Sequence, residues 1–311
     1  MIEDKSIHKR ANEDTYAGTG VSAGVGAGVG VGVGVGVGTS ASAGGAFPKK
    51  NRNRLRELIN AGKPTVGTRI FSNWPLITEV AGSTGYFDYV EFLAEYAPVE
   101  QHDLENIARA AELHNMGTII KVDYANHVYV AQKAVASGFQ AVLFADHRTA
   151  EDVEASIKCL CADCPQDGGT FGFTPRRMIG YSSGLTQMQF AEMLRDVVCC
   201  FMIEKKEAVD NIEAICAVQG LDMIQFGPSD YSMSCGVDAR DNAENIRVAE
   251  EKCIKTALRY GVRPRAEIDT PEAAKRYIDL GVMDFNIGSE LLSLSTVWKN
   301  NGKGLRDILS T

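Results

Sequence analysis

GTIIKVDYANHVYVAQKAVASGFQAVLFAD (117–146) decides the architecture. Two β-branched and apolar runs, GTIIKVD (117–123) and AVLFAD (141–146), flank VYVAQKAVASG, whose apolar residues recur at helical spacing and which ends in glycine. A strand, a helix and a second strand over so short a length make a βαβ unit, and strands joined by a helical crossover lie parallel. Polar residues stand where each strand should end: Lys121 and Asp123 in the first, Asp146 and then His147 in the second.

The same alternation runs outward in both directions. PTVGTRI (64–70) and YVEFLAE (89–95) precede the unit, and VVCCFMIEK (197–205), MIQFGP (223–228), RPRAEID (263–269) and DFNIGSE (284–290) follow it. Helical spacing fills the intervals, as in LENIARAAELHN, AEDVEASIKCLC and NIRVAEEKCIKTALRYG, and LSTVWKNNGKGLRDIL closes the chain. Asp103 and Thr149 are placed to cap helices, while Gly138, Gly220, Gly261 and Gly281 are placed to stop them. Eight strand–helix units predict a (β/α)8 TIM barrel. Residues 162–196, with PQDGG and FGFTPRRMIGYSSG, form a long interval between the fourth and fifth strands. They are expected to lie as an extended loop over the barrel mouth, since long loops are often functional.

The barrel domain is expected over 48–311 and a low-complexity disordered tail over 1–47. Residues 17–47 carry no charge and include GVGVGVGVGVG (28–38), which has almost nothing large to bury. Alternate glycines leave too little apolar surface for insertion into a bilayer, and no basic region directly precedes them, so no membrane role is expected. The net charge is −8, and residues 1–50 contribute +1 (five Lys and Arg against four Asp and Glu), leaving −9 on the remainder. An acidic surface without a basic cluster argues against nucleic acid as a partner. Eight cysteines without a secretory signal point to reduced thiols and a cytoplasmic protein. CLCADC (159–164) offers three sulfurs at irregular spacing and no fourth ligand nearby, a poor pattern for zinc.

In TIM barrels the chemistry collects at the carboxyl ends of the strands. The polar residues there are Arg69; Glu95 and Tyr96; Lys121 and Asp123; Asp146 and His147; Glu204 and Lys205; Asp230; Glu267 and Asp269; and Glu290. Glu204 and Asp230 come from neighbouring strands and can share one hard cation with room for water or substrate, as Mg2+ or Mn2+ prefers. In FGPSDYS (226–232) a tight turn precedes Asp230, and the amides of Ser229 and Asp230 are placed to hold a carboxylate. Spacing alone leaves another arrangement open, in which Asp230 caps a helix and Glu204 pairs with Lys205 or Lys206.

EKKEAVDNIEAI (204–215), GPSD (227–230) and EYAP (95–98) resemble the glutamate-initiated helix, the GPxD motif and the EHAP motif of the HpcH/HpaI metal-dependent pyruvate aldolases. The likeness runs over most of residues 60–300. It implies that Glu204 and Asp230 bind a divalent metal (Mg2+ or Mn2+, with Co2+ as a further option) that chelates a 2-oxo acid. It also implies that Lys121, at the family's arginine position, steadies a pyruvate-type enolate. Gly227, Ser229 and Arg69 fall on the substrate side, and Glu95 and Tyr96 join Lys121 as catalytic residues. The family's histidine is Tyr96 here and its partner aspartate is Leu93, so its base pair is missing. A phenol is a poor base near neutral pH but an adequate donor. His127 and His147 are candidate replacements, and Arg176 and Arg177 are candidates for the distal end of a substrate.

The expected function is aldolase-type carbon–carbon cleavage or formation at a small 2-oxo acid. An oxaloacetate-type decarboxylase, an enolate-adding synthase and a metal-dependent binding or regulatory protein are the alternatives. The resemblance further implies a homo-oligomer, a hexamer, in which the final helix, containing LSLSTVWKNN (292–301), is exchanged between barrels.

Overall fold

Eight parallel strands close into a barrel in chain order. They are β1 (Thr65–Ile70), β2 (Tyr89–Leu93), β3 (Gly117–Val122), β4 (Ala141–Phe144), β5 (Val198–Ile203), β6 (Met223–Phe226), β7 (Arg263–Ile268) and β8 (Asp284–Ser289). The computed structural model describes residues 53–181 and 184–310, so the tail expected over 1–47 lies outside the described residues. Each strand falls within its sequence run. Glu95, Asp123, Asp146 and Glu204 lie one or two positions beyond the last paired residues, where the backbone leaves the sheet for the next helix.

Side chains alternate between two shells, as the pleat requires. Phe92, Ile120, Val142, Phe144, Phe201 and Ile224 face outward into one large core beneath the helices. Tyr89, Ile119, Leu143, Cys200, Met202 and Met223 face the lumen. Tyr89 fills space that Gly67 vacates, since a Cβ there would stand 2.1 Å from its ring. The other side of the lumen is charged. Arg265 and Glu91 form a fully buried ion pair, Arg265 Nε donates to Gln225 Oε1 at 2.8 Å, and Arg263 pairs with Asp284 at 2.8 Å.

The amino-terminal end of the barrel is plugged by the helix Arg54–Asn60. Asn53 caps it by accepting from the Arg56 amide, Leu55 packs into the lumen cluster, and Arg56 grips Asp222 at 2.5 Å. Thr149 caps the helix Ala150–Leu160 as expected. Asp103 works from inside the first turn instead, its Oδ2 accepting from the Glu100 amide at 2.8 Å. Gly138, Gly220, Gly261 and Gly281 all take positive φ, the conformation that ends the preceding helices.

The described residues of the 162–196 stretch, 162–181 and 184–196, do not cover the mouth. They follow a helix and lead into a strand, so they run along the outer wall towards the amino-terminal end. Phe171, Met178 and Ile179 anchor them in the outer core. Arg176 pairs with Glu105 at 2.6 Å, and Arg177 with Glu112, both on the helix Gln101–Leu113. Neither arginine reaches towards a substrate. The last helix, Glu290–Leu309, buries none of its side chains, and Leu291, Val297, Trp298, Leu305 and Ile308 stand exposed. Among the described residues, no helix is long and apolar enough to cross a membrane.

Candidate active site

At the carboxyl end of the barrel β2, β3, β5 and the β6 turn bring five of the expected residues together. Lys121, the top lumen residue of β3, is buried and forms an ion pair with Glu95 at 2.6 Å. Its ammonium also donates to the Tyr96 hydroxyl at 3.0 Å and lies 3.9 Å from Glu204 Oε2. Burial works against the Lys121 charge, but Glu204, Glu95 and Tyr96 outweigh it and hold its pKa above the ordinary lysine value. Burial raises the Tyr96 pKa, with Lys121 only partly offsetting it. The phenol therefore keeps its proton at neutral pH.

Glu204 is the first residue past β5 and is fully buried. Its Oε1 accepts from the Asp146 amide at 2.8 Å. Asp146 takes φ 64°, a left-handed conformation that a non-glycine residue adopts at a cost. Desolvation pushes the Glu204 pKa up to about 7 despite Lys121 and that amide, and Asp146 and Asp230 add to the rise. Glu204 can approach so closely because residue 227 is glycine. A Cβ at Gly227 would stand 2.7 Å from Glu204 Cβ and 2.9 Å from its Oε2.

Asp230 lies in the first turn of the helix Pro228–Ser234, beside the exposed Ser229, with Gly227 in the cap position. The pairing of Glu204 with a neighbouring lysine does not occur. Lys205 turns to Asp146 at 2.6 Å and approaches Asp230 at 3.9 Å, while Lys206 pairs with Asp210. With all four ionised, the carboxylates Glu95, Asp146, Glu204 and Asp230 face two ammonium groups (Lys121, Lys205), a shortfall of two positive charges that the raised Glu204 pKa reflects. A divalent cation fits that shortfall, and carboxylate oxygens are the donors that Mg2+ and Mn2+ take.

Arg69 does not offer a free guanidinium to a substrate. It pairs with Glu267 on β7, lies 3.9 Å from Asp269, and donates through Nε to the Gly288 carbonyl at 3.1 Å. His127 and His147 do not replace the missing base. Each ring holds a backbone carbonyl through Nδ1 (Tyr124 and Ala145), and both Nε2 atoms meet Ser156 Oγ, at 3.1 and 2.6 Å. The pair is packed among Tyr124, Phe144 and Phe201 on the outer face of the strands. Burial pushes His147 down to about 4, so it is neutral. The cysteines of CLCADC assemble no metal centre: Cys159 is buried in the core, and Cys164 donates to Asp167. Among the described residues, no three His, Cys, Asp or Glu side chains gather as a metal cluster.

A closed eight-stranded parallel barrel with a ring of charged side chains at its carboxyl end defines a TIM-barrel enzyme. The profile of the HpcH/HpaI aldolase/citrate lyase family matches residues 71–282, and the chain belongs to that family. It is 25% identical over 230 residues to a hydroxypyruvate/pyruvate aldolase of Cupriavidus necator, covering 74% of this chain and 83% of the relative. A 4-hydroxy-4-methyl-2-oxoglutarate aldolase of Chaetomium globosum is 28% identical over 206 residues, 63% of this chain and 71% of the relative. The crystal structure of an HpcH/HpaI family protein from Burkholderia cenocepacia superposes with a TM-score of 0.74 at 19% identity, over 82% of this chain and all of that one. The protein is accordingly an enzyme, a carbon–carbon lyase, rather than a binding or regulatory protein.

Proposed function

We propose that this lyase is divalent-metal-dependent and makes or breaks the carbon–carbon bond next to a 2-oxo acid, through a pyruvate-type enolate. The observation that carries the reading is the charge shortfall around Glu204 and Asp230, with Gly227 leaving room for the buried carboxylate. Glu204 and Asp230 would hold the cation. When bound, it supplies Lewis-acid polarisation of the 2-oxo group. Lys121, fixed by Glu95, balances the negative charge that develops on the enolate oxygen. Tyr96, still protonated, delivers a proton to the enolate carbon. Ser229 lines the substrate side beside Asp230. The names of the Cupriavidus and Chaetomium relatives, both aldolases of 2-oxo acids, agree with this substrate class.

Leu93, in the lumen beside Lys121, and Tyr96 supply no histidine–carboxylate base. That favours oxaloacetate decarboxylation or enolate addition as a second reading, since a departing carboxylate provides its own electrons. One experiment tests both. Oxaloacetate turnover and 4-hydroxy-2-oxo acid cleavage are followed with Mn2+ and again with chelator. Metal-dependent turnover of either is expected, and absence of both with Mn2+ refutes the proposal.

The unburied final helix supports assembly with further copies of the chain. Eight large apolar side chains, from Leu291 to Leu309, are exposed along it, more than an isolated barrel ordinarily leaves in one stripe. A homo-oligomer, by family likeness a hexamer, is expected in light scattering; a single species at 33.6 kDa refutes it.

A further inference from the structure

We infer that Glu267, on β7, is the group that removes the hydroxyl proton when this enzyme cleaves a carbon–carbon bond. The inference rests on the proposed 2-oxo acid chemistry and supplies the base that Tyr96 and Leu93 do not. Along β7, Arg263, Arg265 and Glu267 alternate onto the lumen face, while Pro264, Ala266 and Ile268 are buried behind the sheet. Arg265 lies at the centre of the charged lumen, so Glu267, one pleat higher, enters the mouth. It comes from the strand next to the one that leads to Asp230.

Two contacts fix its carboxylate without closing it off. Gln225 Nε2 donates to Oε2 at 3.1 Å from below, and Arg69 pairs with Oε1 from the side. The side chain remains 36% exposed to the mouth. The lumen wall still crowds it, and this burial raises its pKa above the usual carboxylate value, with Arg69, then Arg265 and Lys121, opposing the rise and Glu91 adding to it. A fixed, open carboxylate of increased basicity is what a general base requires.

The other carboxylates of the ring are committed elsewhere. Glu95 is only 15% exposed and holds Lys121 in place for the enolate, and Asp146 shares Lys205 with Asp230 and gives its amide to Glu204, beside the proposed cation rather than across from it. Asp123 accepts from the Asn126 amide, and Glu290 from those of Phe71 and Ser72. Asp269 is 72% exposed at the rim. Glu204 and Asp230 are assigned to the cation.

The step balances as follows. Glu267 takes the proton of the 4-hydroxyl group, C4 and its oxygen become a carbonyl, and the C3–C4 bond breaks. Its electron pair enters the enolate, Tyr96 protonates the enolate carbon, and both groups are restored through the open mouth, where water takes the proton from Glu267 and returns one to the Tyr96 phenolate.

The test uses the full chain with Mn2+, with oxaloacetate and a 4-hydroxy-2-oxo acid as probes. Glu267→Gln keeps the shape and is expected to cut cleavage about 10²–10⁴-fold, the contribution of a general base. Oxaloacetate decarboxylation, which needs no such base, should fall by less than about tenfold. Glu267→Asp, which retains the carboxylate, should recover part of the cleavage rate and decides the matter if the glutamine variant fails to fold. Cleavage by Glu267→Gln near the wild-type rate overturns the assignment, as does a wild type that decarboxylates but cleaves no such acid. Loss of both reactions in the wild type instead refutes the underlying 2-oxo acid reading.

Discussion

Gly227→Ala probes the packing that positions Glu204. Gly227 has φ −109° and ψ 92°, extended backbone that alanine adopts freely, so the whole penalty is steric. The new Cβ would stand 2.7 Å from Glu204 Cβ, 2.9 Å from Glu204 Oε2 and 2.9 Å from Met202 Cε, where ordinary contact begins near 3.4 Å. Met202 Cε is the end of a flexible chain and can swing away. Glu204 cannot, because the Asp146 amide holds its Oε1 and the Gly227 amide is itself bonded to the Ile203 carbonyl at 3.1 Å. Overpacking of this kind costs about 1–3 kcal/mol. For a barrel of this size that lowers Tm by roughly 2–12 °C. The displaced carboxylate, moved by most of an ångström, should lower turnover by about 10²-fold. Differential scanning calorimetry measures the first effect, Mn2+ titration the weakened metal site, and oxaloacetate turnover the last. Unchanged Tm, Mn2+ affinity and turnover together would show that Glu204 is not held by this contact.

Glu204→Gln and Asp230→Asn should each abolish Mn2+ binding in calorimetry while circular dichroism shows an intact barrel; full affinity in both variants removes the assigned site. Lys121→Met should lower turnover by about 10²–10³-fold with a much smaller change in metal affinity, and a near-normal rate would move its role to another cation. Glu91→Gln leaves the buried Arg265 guanidinium uncompensated and should cost about 3–5 kcal/mol in urea unfolding, whereas a loss below about 1 kcal/mol would contradict the buried pair. His147 is pushed down to about 4 by burial, against an ordinary value of 6.5, so the unfolded chain binds its proton first as the pH falls. Stability is therefore full above about pH 6.5 and declines towards pH 4, and His147→Asn should flatten that part of a denaturation series; an unchanged slope refutes the assignment.

The barrel was legible because its evidence is local. Runs such as GTIIKVD and AVLFAD carry their own strand signature, and Gly138, Gly220, Gly261 and Gly281 mark helix ends in the sequence itself. Glu204, Asp230, Lys121, Glu95 and Tyr96 were marked out by their place at strand ends, and the structure brings them to one end of the barrel. What the sequence hid was partnership across the closed barrel. Arg69 and Glu267 are separated by 198 positions and meet only because β8 closes onto β1. Nothing in EKK (204–206) tells Lys205 to turn to Asp146 and Lys206 to Asp210. The course of residues 162–196 was misjudged because length was weighed ahead of chain direction: a segment leaving a helix belongs to the opposite end from the mouth.

That placement bears on what the enzyme can accept. With its longest connection at the far end, the mouth is rimmed by strand exits of at most seven residues, and the extended part of the rim is the 227–242 stretch carrying Asp230. On the proposed chemistry such a rim would grip the reacting end of a substrate, where Lys121 and Glu267 stand, and leave the remainder projecting outward. Discrimination is then concentrated on the few atoms around the scissile bond, which suits an enzyme tolerant of different aldehyde or acid tails. A change of preferred tail would come from exchanging single rim side chains, with the strands and the charged lumen beneath them left untouched.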